Sequence, residues 1–169
     1  MKLDHIKKER YRSTACDLRY LLHRESDEEI RADFAPGTKL LLGYAIPDFQ
    51  RDSVWTNNQK IKFIESCFRG YDVGSFMISN WNMRNDLLLP YSECLIDGQQ
   101  RFTALREYWS NEFKVFDYFW SELDKRDKTK MLSTQMPYSI IDSINPKILK
   151  ETYNRLNFAG TNHDEYQRA

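Results

Sequence analysis

Hydrophobic residues along the chain form short extended runs separated by helical stripes. Residues 1–35 predict a helical extension that ends at "APG", a helix stop. The apolar residues that recur there at helical spacing are Ile6, Tyr11, Ala15, Leu18 and Leu22. Further along, the pattern predicts strands at "TKLLLGYAI", "VGSFMIS", "YSECLID", "EFKVFDYF" and "MPYSIID". It predicts a loop that includes a short turn at "NWNMRNDLLLP".

Capping signals predict the helices that lie between these strands. Thr56 followed by Gln59 is a capping box, and the apolar stripe behind it stops at Gly70. The other predicted helices run from about Gln100 to Asn111, from a cap at Ser121 with Asp124, and from Asn145–Pro146. Strands and helices mixed within 169 residues predict an α+β fold, with the helical extension over residues 1–35 and one domain over residues 36–169.

Composition and charge limit which partners the protein can bind and indicate the cellular compartment in which it folds. Lys plus Arg (25) balances Asp plus Glu (25), so contact with a nucleic acid would need a local patch. No apolar run approaches a membrane span and no signal peptide is visible, which predicts a cytosolic protein without a membrane partner. Cys16, Cys67 and Cys94 form no CxxC pair and are predicted to be small buried residues in a reducing compartment.

The stretch "CLIDGQQRFTALREYW" places polar residues where a strand meets a helix. Gly98 allows a ligand to approach the backbone closely, and a helix N-terminus attracts anions. Arg101 offers a bidentate fork to phosphate, while Gln99 and Gln100 can contact a base, a sugar or phosphate oxygens. Asp97 is a candidate to hold a metal ion or to orient a water. The alternative is that Asp97 caps the helix and Arg101 forms a salt bridge with it.

A second polar cluster follows another apolar strand. Gln50 and Arg51 stand beside Asp48, just before the capped helix, so the two strand ends are candidates to converge on one pocket. The alternative is local pairing of each arginine with a neighbouring aspartate. Trp55 is predicted to pack in the core rather than to stack on a base. A third cluster contains Arg155 and Asn157, ahead of a Gly-Thr turn.

The order and spacing of "IPDFQRDSVW", "FIESCFRGYDVGSFMI", "LIDGQQRFTAL" and "YNRLNFAGT" resemble the GmrSD-type N-terminal domain family, a relative of the ParB/sulfiredoxin-like fold. The resemblance runs from about Lys39 to the C-terminus. It implies a small mixed sheet with flanking helices that binds nucleotide, often hydrolyses it, and serves bacterial defence against phage or modified DNA. Larger members carry an HNH-type nuclease domain; this chain ends at Ala169 and is expected to be a short stand-alone member.

The resemblance also assigns roles to individual residues. It implies that nucleotide and phosphate are bound by Gln50, Arg51, Gly98, Gln99, Gln100, Arg101, Thr103, Arg155 and Asn157, and that Asp97 and Arg101 are catalytic. Gly160 and Thr161 match the third motif, but Asn162 and His163 replace its usual Pro-Leu. The acidic pair after His163, Asp164 and Glu165, is expected to be a solvated tail rather than a metal site.

The leading expectation is a domain that binds a nucleoside triphosphate and hydrolyses it weakly or with a partner, in DNA-directed phage defence, counter-defence or a phage function. Arg51, Arg101 and helix amides would clamp the phosphates, and Asp97 would orient Mg²⁺ or a water. One alternative is a non-catalytic module that binds DNA, a separate nuclease or a host protein. Another is a small metal-dependent DNase acting through Asp97, which the lack of histidine in the three motifs disfavours.

Overall fold

A four-stranded mixed sheet forms the centre of the fold in a computed structural model that describes residues 10–158, with only the backbone described at Phe158. The elements are β1 (Tyr11–Asp17), α1 (Leu18–Ser26), α2 (Glu28–Ala32), β2 (Leu40–Leu41), β3 (Tyr44–Ala45), α3 (Asn57–Arg69), β4 (Phe76–Ser79), β5 (Met83–Arg84), β6 (Leu87–Leu88), β7 (Leu95–Asp97), α4 (Gln99–Trp109), a 3₁₀ turn (Trp120–Glu122), α5 (Lys125–Leu132), β8 (Gln135–Ile141) and α6 (Pro146–Phe158).

The strands of the central sheet lie in the order β1-β8-β4-β7. β1 is antiparallel to β8, β8 is parallel to β4, and β4 is antiparallel to β7 with an irregular register at Met77/Ile78. Two small hairpins, β2–β3 and β5–β6, lie outside this sheet. The predicted α+β class and small mixed sheet with flanking helices are confirmed.

The prediction that the N-terminal extension is helical is wrong for residues 11–17. These residues form β1, which pairs with β8 along its whole length, from Tyr11 opposite Ile141 to Asp17 opposite Gln135. The helix begins only at Leu18, because the Asp17 side chain accepts from the Tyr20 backbone N–H and caps α1. Ile6 lies outside the described residues, and the domain boundary near residue 35 stays a prediction.

Two further segments differ from their predicted structure. The stretch at 113–118 is a turn instead of a strand, since Val115 and Tyr118 bridge each other and Phe116 and Asp117 between them have positive φ. The stretch at 80–90, predicted as a loop with a short turn, contains the β5–β6 hairpin, which turns through Asn85 and Asp86, also at positive φ. In both cases left-handed turn residues decide the path of the backbone.

The core fixes the strand and helix that carry the candidate site. Phe76 on β4 contacts Phe102 on α4 with ring centroids 4.9 Å apart, and both residues are buried. On the other side of the sheet α6 packs on β7, where Leu149 and Tyr153 join a second cluster with Ile96. β7 and α4 are therefore held from both faces at the point where they meet.

Capping and burial agree with several predictions from the sequence. Thr56 and Gln59 form the capping box of α3, which ends at Gly70 in the left-handed conformation. Cys67 and Cys94 are buried, and Cys16 is partly buried. Within residues 10–158, no helix has both the length and the apolar character needed to cross a membrane.

Candidate functional site

A cleft of about 180 Å³ opens where β7 meets α4. The loop after β3 and the C-terminal half of α6 form its other walls. Its lining contains most of the residues predicted from the three motifs: Gln50, Arg51, Asp97, Gly98, Gln99, Gln100, Arg101 and Asn157. Residues of the first two motifs thus meet in one place, together with Asn157 from the third.

Gly98 makes the sharp turn from strand to helix. Its φ is +107°, and a Cβ added to it would lie 2.7 Å from the Cβ of Phe76. Gly98 is also the N-cap of α4, so no side chain caps this helix. The free N-terminal N–H groups of an uncapped helix, together with its dipole, favour an anion at that end.

Arg101 braces the wall of the cleft. One terminal nitrogen, Nη2, donates to Asp97 Oδ2 at 3.0 Å and also to the Ser75 carbonyl oxygen. The guanidinium passes close to Gly74, where a Cβ would lie 3.3 Å from Nη1. The Asp97–Arg101 salt bridge, predicted from the sequence as the alternative to phosphate binding, is therefore present. Since the side chain is 22% exposed and lines the cleft, the arginine can also face a ligand.

Gln100 holds a loop against α4. Its side-chain oxygen accepts hydrogen bonds from Ser53 Oγ at 2.8 Å, the Val54 backbone N–H at 2.9 Å and the Trp55 backbone N–H at 3.0 Å. These three donors occupy the hydrogen-bonding capacity of the Gln100 side-chain oxygen. Gln100 therefore shapes the cleft by fixing residues 53–55, a role that its place in the motif did not reveal.

Gln50 leaves hydrogen-bonding capacity at the cleft. Its amide nitrogen donates to the Ile96 carbonyl at 3.4 Å, which fixes the direction of the amide. Its Oε1 and the Nε of Arg101 are buried and have no hydrogen-bond partner among the described residues. Buried polar atoms without a partner are uncommon, and a water or a polar ligand is the usual explanation.

Tyr153 and Trp55 line the cleft although the sequence did not mark them as site residues. The Tyr153 hydroxyl accepts from the Arg51 backbone N–H at 3.4 Å and so links α6 to the loop after β3. Trp55 packs edge-on against Phe63 at 5.6 Å, as predicted for a core residue, and its remaining surface faces the cleft. The only sequence signal for Tyr153 was its position four residues before Asn157, on the same helix face.

Thr103 and Arg155 are not in the cleft lining. Thr103 is 7% exposed and lies one turn along α4, beside a neighbouring groove. Arg155 projects from α6 and pairs with Glu151 at 2.8 Å. It lies two residues from Tyr153, which on an α-helix places it on nearly the opposite side. Gly160, Thr161, His163, Asp164 and Glu165 lie outside the described residues.

The charges of the cleft suit an anion better than a bare cation. Among residues 10–158, the lining of the cleft contains two arginines, Arg51 and Arg101, and one carboxylate, Asp97, whose Oδ2 already accepts from Arg101. Among residues 10–158, no three His, Cys, Asp or Glu side chains come close enough together to hold a metal ion. One carboxylate is nevertheless enough for Mg²⁺ when phosphate oxygens and waters complete its shell. A metal at Asp97 therefore fits only as part of a phosphate complex.

These features define a class of α+β domain that builds a cationic cleft between a strand, an uncapped helix and a Gln-Arg loop. The model of the family described as the GmrSD restriction endonuclease N-terminal domain matches residues 32–168. The chain therefore belongs to this family, which confirms the resemblance seen in its motifs and indicates a role in restriction systems that act in phage defence. No curated protein and no solved structure was found to match the chain.

Proposed function

We propose that the cleft binds the phosphate groups of a nucleoside triphosphate and that this binding serves the restriction system to which the domain belongs. The observation that carries the proposal is the meeting of Arg51 and Arg101 at the uncapped N-terminus of α4. Two guanidinium groups and a helix N-terminus each attract phosphate, and together they act on the same site. The unsatisfied Oε1 of Gln50 and Nε of Arg101 support a polar ligand there.

Each residue has a distinct part in the proposal. Arg51 and Arg101 neutralise phosphate charge. Gly98 makes the turn, closely packed against Phe76, that presents the N-terminal N–H groups of α4 to the phosphate. Asp97, held by Arg101, accepts a hydrogen bond from a water and orients it, or contributes one ligand to Mg²⁺. Mg²⁺, when bound with the nucleotide, would supply further charge neutralisation on the phosphates.

We also propose that the domain hydrolyses the nucleotide it binds. A water oriented at Asp97 attacks the γ-phosphorus and gives up a proton to the solvent, and the bond from phosphorus to the bridging oxygen breaks. Nucleoside diphosphate and inorganic phosphate then leave. We propose weak turnover by the isolated domain, because the carboxylate that would orient the water already forms an ion pair with Arg101. A partner that drew Arg101 toward the phosphates would release Asp97.

Calorimetry of the full chain with ATP, GTP, CTP and UTP, with and without Mg²⁺, tests the proposal. Arg101→Ala should lower nucleotide affinity about tenfold or more, since a charge-assisted contact is lost. It should also lower the melting temperature, because Asp97 and the Ser75 carbonyl lose their donor. Arg101→Lys should keep more stability but still bind poorly, since lysine lacks the planar fork.

Arg126→Ala is the matched control, because Arg126 is an exposed arginine on α5 away from the cleft. It should change neither affinity nor melting temperature. Absence of binding by every nucleotide in every condition would refute the proposal. Unchanged affinity in Arg101→Ala, with lower stability, would show that the arginine is purely a structural brace.

The alternatives predict different results with the same protein. A non-catalytic module would bind DNA, a separate nuclease or a host protein without turnover, and a metal-dependent DNase would cut plasmid in Mg²⁺ or Mn²⁺. The interaction module and the DNase stay predictions. The cytosolic location also stays a prediction. Plasmid incubation of the wild type beside Asp97→Asn separates the DNase from the other two.

A further inference from the structure

A groove of about 860 Å³ adjoins the cleft. Gln50 and Gln99 line both spaces, so the groove begins where the cleft ends. One of its walls is α4, and the others are the segments at 38–41, 46–48 and 52–53. The cleft, at about 180 Å³, is below the usual size of a small-molecule site of roughly 300–1,000 Å³, whereas the groove falls within that range.

The wall on α4 is a single helix face. Gln99, Thr103, Arg106 and Glu107 are spaced at i, i+4, i+7 and i+8, so they line up along the helix away from its N-terminus. From Gln99 to Arg106 the helix rises about 10 Å. A ligand whose phosphates sit at the helix N-terminus would therefore extend along polar side chains rather than into solvent.

The groove and the cleft differ in charge. The charged residues of the groove are Lys39, Asp48, Asp52, Arg106 and Glu107. Glu107 forms an ion pair with Lys60, so the remaining two cations and two carboxylates balance. In the described part of the chain, the lining of the cleft contributes two cations, Arg51 and Arg101, and one carboxylate, Asp97. Phosphate groups are thus favoured in the cleft, and an uncharged polar group is favoured in the groove.

Two side chains of the groove are suited to contact such a group. Arg106 forms no ion pair with a residue between 10 and 158. Thr103 lines the groove and is 7% exposed, and its side chain carries a hydroxyl. A hydroxyl both donates and accepts, and a guanidinium donates to base or sugar oxygens.

We infer that the groove binds the base and sugar of a mononucleotide whose phosphates occupy the cleft, with Thr103 and Arg106 as specificity-determining residues. This inference rests on the proposed function of the cleft. It assigns Thr103 to the nucleoside instead of to phosphate. It also means that a free nucleotide, rather than inorganic polyphosphate, is the ligand the site selects.

The test compares ATP, GTP, CTP and UTP with inorganic tripolyphosphate, by calorimetry on the full chain in Mg²⁺. At least one nucleotide should bind about tenfold more tightly than tripolyphosphate. Thr103→Val, which removes the hydroxyl at nearly constant volume, and Arg106→Ala should each abolish most of that preference. Neither should change the affinity for tripolyphosphate. Arg126→Ala is again the control, and melting curves verify that every variant is folded.

The two proposals fail in different ways. Equal binding of tripolyphosphate and all four nucleotides would overturn the nucleoside groove and leave the phosphate cleft intact. A nucleotide preference that survives both substitutions would also overturn the assignment to this groove. Absence of binding by tripolyphosphate and by every nucleotide would refute the proposed function and, with it, this inference.

Discussion

Gly98→Ala should destabilise the domain much more than the same substitution at Gly70. Both glycines have positive φ, +107° at Gly98 and +72° at Gly70. At Gly70 an added Cβ meets nothing within 4 Å, whereas at Gly98 it lies 2.7 Å from the Cβ and 3.4 Å from the Cα of Phe76. Phe76 is 1% exposed and packed against Phe102, so it cannot move away without shifting β4 or α4.

The expected loss of stability in Gly98→Ala is the sum of three contributions to the free energy of unfolding. A left-handed conformation costs an L-residue about 1–2 kcal/mol, and forcing a methyl group into a packed site costs about 1–3 kcal/mol. The less flexible unfolded chain offsets about 0.4–1 kcal/mol of this. Gly98→Ala should therefore lose about 3 kcal/mol, or about 6–12 °C in melting temperature for a chain of this size. Gly70→Ala lacks the steric term and should lose about 1 kcal/mol or less.

Urea unfolding followed by tryptophan fluorescence measures both variants on the same scale, and nucleotide binding is measured at a temperature where both are folded. Gly98→Ala should also weaken phosphate binding, because the turn that positions the N-terminus of α4 must shift. Equal losses of stability at the two glycines would refute the reasoning, since they would show that the close approach to Phe76 imposes no constraint.

Two further predictions concern the cleft and the buried thiols. Gln100→Glu keeps an acceptor for residues 53–55, so its stability should be near wild type, but its added negative charge should weaken nucleotide binding in calorimetry. Gln100→Leu removes the acceptor and should lower the melting temperature. Burial raises the pKa of Cys67 and Cys94 from 9.0 to about 12, so their contribution to stability is complete below pH 9 and is lost as pH rises toward 12. The free energy of unfolding in urea should fall above pH 9, and fast labelling of both thiols in the folded protein at pH 8 would contradict this.

Local signals were sufficient for much of the fold. The α3 helix could be predicted because Thr56, Gln59 and Gly70 act within their own turns. β1 could not, because its partner β8 lies about 120 residues away and five of its seven residues are exposed, so no alternation of buried and exposed positions marks it as a strand. The β5–β6 segment was predicted as a loop with a short turn, and the hairpin was missed because each of its strands has only two residues.

In the candidate site, too, local sequence signals identify the residues, whereas tertiary structure decides their contacts. Motif residues at Gln50–Arg51 and Asp97–Arg101 could be named from their chemistry, and the cleft does bring them together. Their individual contacts depend on tertiary structure: Gln100 binds the loop at 53–55, and Arg155 turns away because of its angular position on α6. Tyr153 had only one signal, its position four residues before Asn157, because a tyrosine on an apolar helix face otherwise resembles a core residue.

The position of β1 has a practical consequence for fragments of this chain. The family match begins at residue 32, after both β1 and α1. A recombinant fragment that begins at residue 32 would expose the backbone edge of β8 that β1 covers. An exposed strand edge can pair with a strand of another molecule. It would also lack Arg24, which donates to the Gly43 carbonyl and to Glu93 from a buried position, so the glutamate would be left without its counter-charge. Such a fragment is expected to aggregate, and biochemical work on this domain should retain the residues from Arg10 onward.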